Sequence, residues 1–368
     1  MTSAHEPIRI AGAGPAGLSC AIALAQAGRA VVISEAREAS ADGSIDALEL
    51  LENWTEEVDA TAIFDVLGLT GVETTEVASA ELFDGSLRRT GVASRRPFGY
   101  LVRRGAGAGS LDAALLARAR GLGVEIGLGE RPDSSAVDVL ATGPSAPDLL
   151  ARRMVFATSD ADRVQLLFDP IRAPGGFAWL FIARGIGTLG CLVSRDRARL
   201  ERHFDEVRDR FRKISEVSVS QESTATGRIS CAIPSSSLAG GCRVAGEAGS
   251  SRDLLFGMGL RGALQDGLLA AESIARGRSF DSLRDELALP LARASLAARF
   301  RYERMSDAAV ARALVRCGRG DFRERVRRSL RPGFRNEVAA LFARAAWRPP
   351  ESCTHPLPAH WCRRSDRT

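Results

Sequence analysis

Residues Ile8–Glu35 read IRIAGAGPAGLSCAIALAQAGRAVVISE. Ile8 and Ile10 lead as a strand into Gly12-Ala13-Gly14-Pro15-Ala16-Gly17, a G-x-G-x-x-G that opens a helix. That helix is small and apolar, through Ala16, Leu18, Ala21, Ile22, Leu24 and Ala25, and Gly28 stops it. Ala30–Ser34 reads as a second strand, which Glu35 closes. Each glycine has a task. Gly12 permits the tight turn, Gly14 lets the backbone approach a pyrophosphate, and Gly17 lets helix and strand pack closely. Pro15 falls in the first helical turn, where its missing N–H is no loss. The free N–H groups of that turn favour phosphates. Glu35, followed by Ala36 at the same edge, is placed to accept hydrogen bonds from an adenosine ribose. A lone G-x-G-x-x-G is a weak signal. Strand, helix and acid in register make dinucleotide binding the expectation, without separating NAD from FAD.

The rest of the composition fits that reading. The chain has 368 residues and is 45% hydrophobic, enough for two domains or for one large domain with an inserted sheet. Net charge is +5, and Lys213 is the only lysine. The arginines are scattered among acids without aromatic interleaving, which argues against nucleic acid as a partner. Seven cysteines, an odd number spread along the chain, read as reduced thiols of a cytoplasmic protein. Neither a signal-peptide core nor a run of about 18 apolar residues stands out, so no spanning segment is expected.

Along the chain, Leu48, Leu51 and Trp54 mark an amphipathic segment, and residues 56–67 read as a helix ending at Gly68. Residues 76–94 alternate as strands around an Asp84-Gly85 turn. Tyr100–Arg104, Val124–Ile126 and Val137–Gly143 read as further strands, able to join the first two in a parallel sheet. Ser110 is placed to cap a helix over residues 111–121. Between Val155 and Ser194 the runs VFATSD, VQLLF, FAWLFIA and TLGCLVS predict an antiparallel sheet. Gly185–Gly190 also has G-x-G-x-x-G spacing, but it lies between strands and reads as a hairpin turn. Residues 196–214 form an amphipathic helix with Leu200, Phe204, Val207 and Phe211 on one stripe. The fold class is thus α/β with an α+β insert. A Rossmann-like nucleotide-binding domain takes residues 1–150 and 228–280. An antiparallel-sheet substrate domain takes 151–227, with contributions from 70–104. Residues 281–368 are a helical C-terminal region.

A second glycine motif lies in residues 244–275, VAGEAGSSRDLLFGMGLRGALQDGLLAAESIA. A short strand enters Gly246-Glu247-Ala248-Gly249, and Gly257-Met258-Gly259 opens another helix. Glycines at 257 and 259 clear room for a flat ring, and the helix start supplies N–H groups for a developing anion. Gly267 inside that helix costs about 1 kcal/mol against alanine, which suggests close packing.

The two motifs together resemble the flavoproteins of the para-hydroxybenzoate hydroxylase type, most closely the geranylgeranyl reductase branch. That branch carries G-D-A-A-G, a G-x-G step and a helix ending S-G-x-x-A-A. Here stand Gly246-Glu247-Ala248-Gly249, Gly257-Met258-Gly259 and Asp266-Gly267-Leu268-Leu269-Ala270-Ala271. Phe177-Ala178-Trp179-Leu180-Phe181 is similar to the branch's aromatic stretch, and residues 100–112 to its Tyr-x-x-x-Arg segment. The resemblance implies one FAD: adenosine at Glu35, pyrophosphate at Gly12–Gly17, and flavin between Glu247 and Gly259, with Glu247 accepting from a ribityl hydroxyl. Arg104 would reach its phosphate or ribose, and Trp54, Phe177 and Trp179 would line the substrate cavity. Glu247 replaces the usual aspartate, and Leu254 the usual proline. The Asp-Gly motif of the aromatic hydroxylases is absent, with Ala141-Thr142-Gly143-Pro144 in that region. A flavin halogenase would require a lysine near the flavin and a Trp-x-Trp motif.

The expected function is an FAD-dependent oxidoreductase moving hydride through the flavin, on an apolar or mixed small molecule. The alternatives are an FAD-dependent monooxygenase and a non-catalytic flavin-binding partner protein. NAD(P)H is the expected transient donor, or a donor protein takes its place. Cys242, just before the second motif, reads as a small buried thiol. No catalytic dyad is visible. Cys353, His355, His360 and Cys362 have zinc-ligand chemistry, but their spacing is unlike common fingers, so no metal is expected.

Overall fold

The computed structural model describes residues 6–38, 46–130, 136–143, 148–231, 233, 238–239, 241–249 and 253–346. A sheet of short strands forms around the first motif. Its order is Leu238–Ala239, Cys242–Val244, Val139–Leu140, Ile8–Ala11, Val31–Glu35 and Glu125–Leu128. All neighbours pair in parallel except the Leu238–Ala239/Cys242–Val244 hairpin. Ile10 and Arg243 both register on Val139, so the strand of the second motif lies two positions from the strand of the first. Because the strands run the same way, the turns at Gly12 and Gly246 leave the sheet at the same edge. Ligands of open parallel sheets bind at such a carboxyl edge.

The helices that follow the two turns, Pro15–Gln26 and Leu260–Arg276, pack on each other. A Cβ on Gly267 would stand 2.3 Å from the Ala16 carbonyl oxygen, so the costly mid-helix glycine is required by the approach of the two helices. The Ser19 hydroxyl donates to the Leu264 carbonyl across this contact at 2.7 Å.

Gly99–Arg104 departs from the expectation. It lies outside the parallel sheet and pairs antiparallel with Ala47–Glu52 and Thr74–Val77 in a three-stranded sheet. The cause is visible in its alternation. Tyr100 and Val102 enter the core of the nucleotide-binding layer, while Leu101 enters the core under the large sheet. A strand with one face in each core separates two layers. The predicted helix over residues 56–67 is also shorter, Ala62–Leu67. Asn53 and Asp59 hold the chain ahead of it in turns: Asn53 donates to Asp59 at 2.9 Å and accepts from the Ala60 N–H at 2.9 Å.

The large sheet has the order Ser220–Ile229, Leu149–Ala157, Ile186–Val193, Phe177–Ala183, Arg163–Phe168, Ser79–Asp84 and Arg89–Ala93. It is antiparallel apart from the Arg163–Phe168/Ser79–Asp84 pair. Gly185–Gly190 indeed lies in a hairpin: Arg184 and Gly185 turn with positive φ, and Ile186–Val193 pairs back on Phe177–Ala183. One face of the sheet is covered by Leu200–Ile214, whose Leu200, Phe204, Val207 and Phe211 are buried. The other face meets C-terminal helices at Leu289–Tyr302, Asp307–Cys317, Phe322–Ser329 and Phe334–Ala346, while Phe280–Leu287 packs on Leu260–Arg276 and puts Phe280 into the nucleotide-binding core. Among the described residues, no helix is long and apolar enough to cross a membrane.

Candidate functional site

At the first turn the three glycines have three different surroundings. Gly12 has φ +101°, and a Cβ there would stand 2.4 Å from the Ala141 carbonyl oxygen. A Cβ on Gly17 would stand 1.9 Å from the Gly12 carbonyl oxygen. Gly14 has nothing within 4 Å of that position. Two of the glycines are demanded by the fold itself, and the third fronts open space at the start of Pro15–Gln26. Space without side chains at a helix N-terminus is what a pyrophosphate requires.

Glu35 is buried beside this turn. It accepts from the Ala13 N–H at 2.9 Å and from the Arg37 N–H and Nε at 3.0 and 3.1 Å. Burial opposes its ionisation, but the donors of Arg37 and Ala13 outweigh burial and hold the carboxyl below the usual range. An ionised acceptor is therefore fixed next to the phosphate cradle. Ala36 is exposed immediately after it.

At the second turn, Gly246 has φ +68°, and a Cβ would press on Ala16 at 2.8 Å. Its N–H donates to Asp266 Oδ2 at 3.0 Å, tying the turn to the following helix. Glu247 lies half-buried in a single helical turn, Gly246–Ala248. Gly257 takes φ +72° and stands over Ile229 and Leu192 of the large sheet. Met258 is half-buried, and Gly259 is the N-cap of Leu260–Arg276. Both motifs thus place a helix start at one edge of the parallel sheet. Cys242 is buried, and burial first of all pushes its thiol up to about 11, which favours the protonated thiol at neutral pH.

Arg104 is embedded in carboxylates of the fold. It donates to both Asp112 oxygens at 2.7 and 2.9 Å and pairs with Glu49. Burial disfavours its charge, yet Glu49 and Asp112 raise its pKa above the ordinary guanidinium value. This cluster fastens the start of Leu111–Gly121, where Ser110 also caps by accepting from Ala113.

The aromatic residues chosen from sequence meet through one that was not. Phe256 stands edge-on to Trp54, with ring centroids 5.5 Å apart, and edge-on to Phe177 at 6.0 Å. Phe177 lies 5.8 Å from Trp179. The Trp179 indole covers Gly190, whose Cβ would stand 2.1 Å from it. Trp54 has a polar task as well: its indole N–H donates to buried Asp253 at 3.1 Å. Asp253 also accepts from Ser295 Oγ at 2.8 Å and from the Leu255 N–H at 2.8 Å. Burial pushes the Asp253 carboxyl up to about 6, reinforced by the nearby Glu52 and opposed by the Ser295 and backbone donors. Arg299, fully buried, donates to the carbonyls of Leu255 at 3.1 Å and of Gly175, and pairs with Glu303 at 2.7 Å. The loop 253–259 is therefore held by Trp54 on one side and by Leu289–Tyr302 on the other. Beside it opens a cavity of about 250 Å³, lined by Glu52, Thr55, Asp253, Gly262, Leu269 and Ser295 among others.

Asp253 and Phe256 escaped the sequence reading. Their signal was an acid and an aromatic within Asp253-Leu254-Leu255-Phe256, directly ahead of the G-x-G step. Cys353, His355, His360 and Cys362 lie outside the described residues.

With this geometry in view, comparison with known proteins is specific about the fold. Residues 8–72 match the FAD binding domain family. A geranylgeranyl bacteriochlorophyll reductase-like protein from Thermoplasma acidophilum superimposes with a TM-score of 0.66 at 15% identity, over 92% of this chain and 95% of the other. A flavin-dependent brominase superimposes at 0.60 with 18% identity, over 92% and 97%. The p-nitrophenol 4-monooxygenase of Pseudomonas putida does so at 0.59 with 17% identity, over 90% and 98%. No curated protein sequence matches the chain. The chain thus shares the fold of these structures, and its first motif lies within the stretch that matches the FAD binding domain.

Proposed function

We propose that this chain is an FAD-dependent oxidoreductase that passes hydride to or from a C–C bond of an apolar or mixed small molecule. The residues of the first turn fit the cofactor, with open space at Gly14 for the pyrophosphate and ionised Glu35 for the adenosine ribose, and in this reading Glu247 with Gly257–Gly259 takes the flavin half. FAD supplies, when bound, a two-electron centre that accepts or donates hydride. In this reading the chain binds and orients it.

The observation that carries the choice of reaction is the aromatic contact. Phe256, next to Gly257, packs edge-on against buried Trp54 and Phe177, so the core directly behind the G-x-G step is aromatic. We take this aromatic cluster as the apolar surroundings in which a substrate would meet the flat ring. The only lysine, Lys213, is exposed on Leu200–Ile214, the helix covering the opposite face of the large sheet. This disfavours halogenation, which calls for a lysine beside the flavin. NAD(P)H binds transiently in this reading.

The test is direct. Purified protein is loaded with FAD, and its absorbance is followed with NAD(P)H, with and without oxygen. Anaerobic reduction followed by turnover with an apolar alkene or alkane supports the proposal. Oxidation of NAD(P)H that needs both substrate and oxygen would favour the monooxygenase. Bound flavin inert to every donor would favour a flavin-binding partner protein. Failure to take up FAD would overturn all three.

A further inference from the structure

The helix Phe334–Ala346 has two unlike faces. Ala340 and Ala343 are 2% and 0% exposed and face the protein. On the opposite side Phe334, Leu341 and Phe342 are 84%, 63% and 64% exposed. Their spacing, with half-buried Val338 between, is i, i+4, i+7 and i+8, one stripe of a helix. Isolated exposed apolar residues need no explanation, but a stripe with two phenylalanines does. Arg335 and Arg344 flank the stripe, one on each side, and exposed Arg331 precedes the helix. Among the described residues, no carboxylate pairs with these three arginines. The surrounding sequence is strongly basic. Between residues 307 and 346 stand ten arginines and four carboxylates. This stretch thus carries a net charge of +6, more than the +5 of the whole chain, and the remainder is slightly acidic.

We propose that this face is a docking surface for an anionic lipid bilayer, with the helix lying in the plane of the headgroups. An apolar stripe between arginines is the pattern of an interfacial helix: rings enter the acyl boundary while guanidinium groups stay among phosphates. Charge decides between occupants. A second copy docking through the same face would set Arg331, Arg335 and Arg344 against their own counterparts, whereas an anionic surface attracts all three. The proposal is independent of the flavin chemistry.

The experiment is sedimentation of the full chain with phosphatidylcholine vesicles, with and without phosphatidylglycerol, at low and high salt. Binding to the anionic vesicles is expected to exceed binding to the neutral ones by about tenfold or more, and to weaken with salt. The combined variant Phe334→Ser, Leu341→Ser, Phe342→Ser is expected to lose about tenfold or more of that binding, with its circular dichroism unchanged because all three positions are exposed. The combined Arg331→Gln, Arg335→Gln, Arg344→Gln variant is expected to bind both vesicle types alike. Absence of wild-type binding, or binding undiminished by the serine variant, would overturn the proposal. So would a concentration-dependent dimer that the serine substitutions dissolve, which would assign the face to a second copy.

Discussion

At Gly17 one added methyl would stand 1.9 Å from a carbonyl oxygen. At Trp54 an indole donates to Asp253, 199 residues away in sequence. These are the two regions of the proposed cofactor site, and they are specified differently. The first turn is a matter of backbone. Its residues are close in sequence, and its glycines are required by local distances that no neighbouring side chain can relax. The loop 253–259 is a matter of side chains. Trp54, Phe177, Asp253, Phe256, Ser295 and Arg299 come from separated segments and meet only once the core under the large sheet has formed. A fold can keep the first region across many chemistries and vary the second, so the second is where a reaction is chosen.

Gly17→Val is expected to abolish soluble folded protein, because the backbone of the turn cannot recede; expression with circular dichroism checks it. Gly14→Ala should leave the melting temperature nearly unchanged, since nothing lies within 4 Å of the new methyl. The same change should weaken FAD binding by about tenfold or more, as the methyl occupies the phosphate cradle. Equal damage to folding from both glycine variants would remove the distinction between fold-demanded and ligand-demanded glycines.

The aromatic region should respond by smaller steps. Trp54→Phe keeps the ring against Phe256 but strands an acceptor on Asp253. A loss of about 1–3 kcal/mol in urea unfolding is expected. Asp253→Asn tests the charge. The folded chain holds the Asp253 proton more tightly than the unfolded chain, with the carboxyl pushed up to about 6. Its contribution to stability is therefore full below the ordinary carboxylate range and falls as pH rises through about 6. Asparagine has no such fall, so the variant's stability relative to wild type should improve from about pH 4 to about pH 7. A flat difference across that window would mean that Asp253 is already ionised in the folded protein.

Legibility in the sequence follows the same division. Gly12, Gly14, Gly17 and Glu35 could be assigned because strand, turn, helix and acid are contiguous. Gly267 was readable as close packing because a mid-helix glycine is costly and needs a reason. The stripe Leu200, Phe204, Val207 and Phe211 was readable for its period. Gly99–Arg104 was misplaced because alternation tells which faces are buried, not which sheet covers them. The helix expected over residues 56–67 came out short because its first half is held by Asn53 and Asp59, a contact that periodicity does not encode. Arg104 looked like a cofactor ligand in a linear motif, and its carboxylate partners Glu49 and Asp112 came into view only with the fold. Trp54, Phe177 and Trp179 were chosen as aromatic residues near motifs. Phe256, the ring that joins them, carried no periodic signal.

In the proposed arrangement one FAD spans both glycine turns, with adenosine at the first and flavin at the second. The most direct measurement compares FAD and ADP binding in Gly14→Ala and Glu247→Ala. Gly14→Ala should weaken both ligands, while Glu247→Ala should lose most bound FAD and leave ADP affinity at the wild-type value. FAD retained at full affinity by Glu247→Ala would contradict the claim and remove the second turn from the cofactor site.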